Sequence, residues 1–254
     1  MFKHAIVRRP ALSMVQGITS NPQLGKPDHA KALAQHDAYI EALRSCGVEV
    51  RVLPADERFP DSCFVEDTAV CTKSFAMVSN PGAASRNGEA EGMAAILAGY
   101  FSDVERVRAP GTLDGGDVMM VGDDFYIGLS ARTNKDGAAQ LVAALARHGM
   151  KGRVVELSKV LHLKTGLSYL EGGHLTITGE FLALAEFRDF KRIEVPAEES
   201  YAANSLRIND RVLVPAGFPK TQACIRAAGL DVLVVDTSEY RKLDGGLSCL
   251  SLRF

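Results

Sequence analysis

The chain has 254 residues, with 29 Lys and Arg against 31 Asp and Glu, for a net charge of −2. Hydrophobic residues make up 46% and charged residues 24%, an ordinary soluble composition that excludes disorder, collagen and coiled coil. The balanced charge offers no footprint for nucleic acid or an anionic membrane surface, and the length suits one large domain or two small ones of roughly 100–200 residues.

His4–Arg8 reads as an apolar strand. Asp28 N-caps a helix from His29 to Cys46, with Leu33, Ile40 and Leu43 on one face and Gly47 as its stop. Val48–Leu53 is a strand, and Phe64–Val70 with Phe75–Ser79 form two strands around Thr72-Lys73-Ser74. The order then recurs. Glu89–Gly99 is helical, Val104–Arg108 is a strand, and Val118–Val121 with Phe125–Gly128 make a hairpin around Gly122-Asp123-Asp124. Asn134 caps a helix Lys135–His148 that Gly149 ends, and strand Arg153–Leu157 follows. The spacing predicts a third hairpin from His174–Ile177 and Phe181–Ala185 around Gly179-Glu180. A weaker unit has a turn at Glu186–Phe190, strand Arg192–Val195, and a hairpin Ser205–Ile208 with Arg211–Pro215 around Asn209-Asp210. Last come helix Thr221–Ala228, strand Val232–Val235 and strand Leu247–Arg253.

Helix, strand, small-residue segment and hairpin repeat at about 35–60 residues, which favours radial repetition over a generic α/β alternation. The last unit lacks one strand and His4–Arg8 lacks a partner, so pairing the first strand with the last would close a ring and remove exposed edges. The expected fold is a five-bladed ββαβ propeller with pseudo-fivefold symmetry, its ring closed by the N- and C-terminal strands, in one domain over 1–254.

The five cysteines, Cys46, Cys63, Cys71, Cys224 and Cys249, show no C-x-x-C pair. They form neither a disulfide framework nor a zinc-finger spacing, and a reducing cytoplasm fits them best. No long apolar run precedes the early charges, so the N-terminus does not read as a secretory signal. Apolar patches such as Ala138–Ala146 are too short to span a bilayer.

Chemistry-bearing residues fall at corresponding places in the units: Asp61, Glu66 and Asp67; Asp114 and Asp117; His162; Asn204; Cys249. Converging on an axis, they would make a set for nucleophilic attack on a cationic substrate. Cys249 sits in DGGLSCLSLRF, whose glycines allow close backbone approach; the other four cysteines read as core. His162 with a carboxylate partner, for which Asp114 is the natural one, would have a raised pKa suited to protonating a leaving amine. Glu66 and Asp67 are strand neighbours, so at most one should enter the pocket unless the strand bulges. Arg86 and Arg132, in loops ahead of helices, read as surface arginines or as a bidentate grip on a carboxylate. The six histidines lack metal-ligand spacing, and no dinucleotide or P-loop motif is present. Neither metal nor cofactor is expected.

FPDSCFVEDTAV, LDGGDVMMVGDDFYIGLSARTN, VLHLKTG, EESYAAN and SEYRKLDGGLSCLSLRF lie in that order along nearly the whole chain. Together they resemble the dimethylarginine dimethylaminohydrolase family, guanidine-modifying enzymes with the pentein fold. The resemblance implies hydrolysis of Nω-methylated arginine to citrulline and a methylamine. It implies Cys249 as nucleophile, His162 as general acid and base, and Asp114 as the residue orienting His162. It implies that Asp67 with Glu66 holds the guanidinium and that Arg86 and Arg132 hold the substrate carboxylate. It implies that Asp61 and the backbone carbonyls of Ile18 and Leu243 receive the α-ammonium. Asp114 stands where some bacterial relatives carry Glu. Arginine deiminases carry an Asp two residues after the catalytic His, where this chain has Lys164, leaving room for methyl groups. Gly17–Lys26 would be a lid. The partner is then a small molecule, and a homodimer stays open. The same fold acting on citrulline or arginine, and a non-catalytic propeller, are the other readings.

Overall fold

The structure is a computed structural model describing residues 1–254. In chain order the strands are β1 His4–Arg8, β2 Glu49–Leu53, β3 Ala69–Cys71, β4 Ala76–Val78, β5 Val104–Arg106, β6 Val118–Val121, β7 Asp124–Leu129, β8 Lys151–Glu156, β9 Leu167–Tyr169, β10 His174–Ile177, β11 Lys191–Glu194, β12 Leu206–Ile208, β13 Arg211–Pro215, β14 Asp231–Val235 and β15 Leu252–Arg253. The helices are α1 His29–Ser45, α2 Met93–Leu97, α3 Lys135–Arg147, α4 Leu163–Gly166, α5 Pro219–Ala227 and α6 Ser238–Arg241. No helix is long and apolar enough to cross a membrane.

The strands form five three-stranded sheets: β15-β1-β2, β3-β4-β5, β6-β7-β8, β9-β10-β11 and β12-β13-β14. Each middle strand pairs antiparallel with one neighbour and parallel with the other. A hairpin supplies the antiparallel pair in four of them. In the fifth, β15 meets β1 instead, with Ala5 opposite Arg253 and Ile6 opposite Leu252. A parallel pair needs a crossover, and helices α1, α2, α3 and α5 provide four of the five.

The chain divides into two compact units, Met1–Val65 with Gly166–Arg253, and Glu66–Thr165 with Phe254. In the first, α1 turns Tyr39, Ile40 and Leu43 onto Ala5, Val7, Leu213, Tyr240 and Leu250. Asp28 caps α1 by accepting from the Lys31 N–H at 3.0 Å. In the second, α3 lays Ala138, Leu141, Ala144 and Leu145 against Phe75, Phe125 and Ile127. Asn134 caps α3 through the Gly137 N–H at 2.8 Å. Each fully buried leucine contributes roughly 1.5–3 kcal/mol of transfer free energy.

Four elements differ from the sequence reading. Val65–Thr68 is a 3₁₀ turn rather than strand, because a flat strand would send Glu66 and Asp67 to opposite faces, whereas the turn gives each a cation, Lys164 and Arg86 respectively. The helix expected over Glu89–Gly99 is reduced to α2, since residues 89–92 continue in turns the chain enters at Gly88 (φ +86°). The third hairpin is β9 with β10, not His174–Ile177 with Phe181–Ala185. Glu171, Gly172 and Gly173 all take positive φ (69°, 61° and 82°) and form its turn, which the Leu170 N–H closes onto the His174 carbonyl. Gly179–Ala183 is instead 3₁₀ and buries Phe181 edge-on against Phe187. Of Leu247–Arg253 only β15 is strand; Ser248–Leu250 is a 3₁₀ turn carrying Cys249.

Candidate active site

The 66–165 unit gathers five of the expected residues in one buried, hydrogen-bonded group. Asp114 Oδ2 lies 3.0 Å from His162 Nε2, and Asp114 Oδ1 accepts from the Gly82 N–H at 2.9 Å. Asp67 Oδ1 accepts from the Gly116 N–H at 2.9 Å, and its Oδ2 receives Arg86 Nη1 at 2.5 Å. Glu66 Oε1 receives Lys164 Nζ at 2.6 Å. The three carboxylates are each 3% exposed or less, so every one needs such a partner. The backbone of LDGGD makes this approach feasible: a Cβ on Gly116 would stand 2.8 Å from His162 Nδ1 and 2.9 Å from Asp67 Oδ1.

Asp117, deeper in the same group, accepts from the Leu163 N–H at 2.9 Å and from the Ser130 and Thr133 hydroxyls at 2.6 and 2.7 Å. It therefore anchors the start of α4 beside His162. Burial pushes the Asp117 carboxyl above its ordinary range despite these donors. For His162, burial disfavours the charge, but Asp67, the hydrogen bond to Asp114, and Asp117 outweigh it and push the imidazole up to about 9. At neutral pH the ring is a cation, so Nε2–H donates to Asp114 and Nδ1–H is a proton to give. Asp67 shows the converse. Burial opposes its charge, but His162 and Arg86 hold it below the usual carboxylate range.

Arg86 is not a free clamp. Its Nε and Nη2 take Glu89 at 2.7 and 2.6 Å, in the two-pronged geometry that carboxylate and guanidinium share, and its Nη1 takes Asp67. Glu89 was missed from sequence, although the i,i+3 spacing in SRNGE was the available signal. Arg132 stands apart from this group. It is half-buried, has no side-chain ion pair, and is tethered by its backbone N–H to Ser130 Oγ. Asp67, Asp114 and His162 also bring one potential metal-ligating atom each within 4.8 Å of one another, although histidine spacing gave no metal signal. A protonated His162 and an Arg86-bound Asp67 are poor donors for a metal ion.

The other unit holds the remaining residues. Cys249 is half-buried, and the Gly246 N–H points at its Sγ from 3.4 Å. Asp61 is buried and accepts from the Ile18 N–H at 3.1 Å. Leu243 lies with them: a Cβ on Gly17 would meet Asp61 Oδ1 at 2.8 Å and Leu243 Cδ1 at 3.0 Å. The expected lid is tied down beyond Ile18, since Asp244 accepts from the Ser20 N–H at 2.5 Å and from Asn21 Nδ2 at 2.6 Å. Asp244 does so at φ +58°, a left-handed conformation rare outside glycine. Among the cysteines read as core, Cys63 is buried, Cys46 and Cys71 are half-buried and Cys224 is exposed on α5. The buried side of α5 is formed by Thr221 and Ile225, which leaves Cys224 on its outward side.

Known proteins match this chain over its whole length. A family model described as "N,N dimethylarginine dimethylhydrolase, eukaryotic" matches residues 22–172. The N(G),N(G)-dimethylarginine dimethylaminohydrolase of Pseudomonas aeruginosa is 58% identical over all of both chains. A solved structure of the P. aeruginosa enzyme, a C249S mutant complexed with citrulline, superposes with a TM-score of 0.97 at 58% identity, covering both chains in full. A dimethylarginine dimethylaminohydrolase H162G adduct with S-methyl-L-thiocitrulline gives the same TM-score, identity and coverage. Five equivalent sheets and this full-length likeness identify the α/β fold as the five-bladed pentein class. With a cysteine on a tight 3₁₀ turn and a carboxylate-bound imidazolium built on that fold, the chain belongs to the dimethylarginine dimethylaminohydrolase family.

Proposed function

We propose that the protein hydrolyses Nω,Nω-dimethyl-L-arginine and Nω-monomethyl-L-arginine to L-citrulline, releasing dimethylamine or methylamine. The observation that carries this reading is His162, a buried imidazolium among Asp67, Asp114 and Asp117. Such a group holds a proton at neutral pH for a leaving amine that needs one. The likeness to an enzyme of this name supports the substrate.

A guanidinium carbon is a poor electrophile because its charge is delocalised. Asp67 fixes the plane of the group so that sulfur can approach its face. Cys249 attacks as thiolate and forms a C–S bond. The bond from that carbon to the methylated nitrogen breaks, and His162 supplies the proton that lets the amine leave. A thiouronium remains on Cys249. Water then attacks the same carbon, His162 takes its proton, and the C–S bond breaks to give the ureido group of citrulline and the thiolate. Arg132, whose guanidinium makes no ion pair, is the better placed of the two arginines to take the substrate carboxylate. Arg86 instead orients Asp67. Asp61 accepts from the α-ammonium. Lys164 neutralises Glu66, so one carboxylate rather than two is left for the guanidinium nitrogens. That suits a nitrogen carrying methyl groups. Five cysteines kept as thiols fit a cytoplasmic setting.

Purified protein incubated separately with asymmetric dimethylarginine, arginine and citrulline should yield citrulline and dimethylamine from the first at the highest rate. Faster release of ammonia from arginine, or ornithine from citrulline, overturns the substrate assignment. Cys249→Ser should lose nearly all turnover.

A further inference from the structure

Asn204 has no part in the chemistry above, yet it grips the segment that carries the nucleophile. It is 6% exposed and ends the 3₁₀ turn Ala197–Ala203. Its Oδ1 accepts from the Ser248 N–H at 3.0 Å, and its Nδ2 donates to Ser248 Oγ at 3.0 Å. Its amide also lies against Gly246, where a Cβ would stand 2.5 Å from Asn204 Cγ. One side chain thus touches both Gly246 and Ser248 within the Gly246–Cys249 turn. Within that turn the Cys249 N–H bonds the Gly246 carbonyl at 3.2 Å, and the Gly246 N–H faces Sγ. Other groups hold the flanking carbonyls: Tyr201 Oη donates to Gly245 and Tyr39 Oη to Leu247.

We infer that Asn204 is a positioning residue for Cys249: it fixes the turn that aims the Gly246 N–H at the sulfur, and so raises the reactivity of the thiolate. A hydrogen bond donated to a thiolate favours the charged form. It does so only while the donor stays aimed, and at 3.4 Å a small rotation of the Gly246 peptide loses it. Alanine at 204 would leave the Ser248 N–H without its acceptor and remove the surface against which Gly246 packs. The inference rests on the reading of Cys249 as nucleophile.

The test is the pH dependence of Cys249 alkylation by iodoacetamide in the ligand-free protein, read by peptide mass spectrometry to separate it from exposed Cys224. Asn204→Ala should slow alkylation at pH 7 about tenfold, as an upward move of about one pH unit in the thiol predicts. kcat should fall at least as far, with KM within about threefold of wild type. Ser248→Ala, which removes one of the two bonds, should shift both in the same direction by a smaller factor. It decides the matter alone if Asn204→Ala does not fold. A wild-type alkylation profile in the folded variants, or a change confined to KM, overturns the inference. Turnover retained by Cys249→Ser would overturn the nucleophile reading instead, and the alkylation readout needs no turnover.

Discussion

Asp114→Asn tests the electrostatics of His162 most directly. The substitution keeps size and shape but removes the charge. It also creates a conflict, because Asp114 accepts on both oxygens, from the Gly82 N–H and from His162. An asparagine offers one acceptor and one donor, so one of these two partners would face an N–H. A hydrogen bond to a charged group is worth about 1.5–3 kcal/mol and a neutral one about 0.5–1.5. The difference, about 1–2 kcal/mol, corresponds to about one pH unit. His162 should therefore titrate about one pH unit below its present value of about 9, with Asp67 and Asp117 still supporting it. Site-specific NMR of the imidazole against pH in both proteins measures this. The alkaline limb of kcat/KM should move down with it, since the acid form gives up the first proton. Stability follows the same group. A folded pKa raised above the unfolded value of 6.5 contributes fully below pH 6.5, and the contribution is lost as pH rises through about 9. Unfolding in urea should show wild type losing stability across that window, and Asp114→Asn over a narrower one. An unchanged or higher His162 pKa in the variant would refute the reasoning.

Lys164→Met should destabilise the protein by about 3–5 kcal/mol, because it strips the cation from a glutamate that is 3% exposed. Urea denaturation checks this, and adding Glu66→Gln should recover most of the loss; a single variant within about 1 kcal/mol of wild type contradicts the pairing. Gly116→Ala would place a methyl 2.8 Å from His162 Nδ1 and should cut kcat by about 100-fold, the usual penalty for moving a catalytic group about 1 Å. Unaltered kcat in the folded variant would remove the steric argument.

Much of the fold was legible because its signals are local. Asp28 and Asn134 sit where caps are needed, and each accepts the backbone bond its position requires. Gly122-Asp123-Asp124 and Asn209-Asp210 lie between short apolar runs, and both hairpins formed as expected. The LEGG segment misled because its glycines resemble those of LDGG, yet the first set turns a hairpin and the second lets two side chains approach backbone. Residue types for nucleophile, acid and carboxylates were visible as spaced motifs. Their charge partners were not. Lys164 with Glu66, and Glu89 with Arg86, follow from burial, which forces each ion to find its opposite and which single-residue motifs do not encode. Asn204 was visible as a polar residue in a repeated place, but its bond to a turn 44 residues away is a tertiary fact.

The pairing of β1 with β15 carries a consequence in time. Ala5 and Arg253 are partners at opposite ends of 254 residues. On a chain made at roughly 5–20 residues per second, β1 waits ten seconds or more for the strand that completes its sheet. β2 and α1 can dock on it early, but the turn that carries Cys249 emerges long afterwards, directly before β15. A nascent chain can therefore assemble the His162 group, which spans residues 66–165, well before Cys249 exists. Cys249 is thus made well after the residues of the His162 group, and directly before the strand that ends the wait.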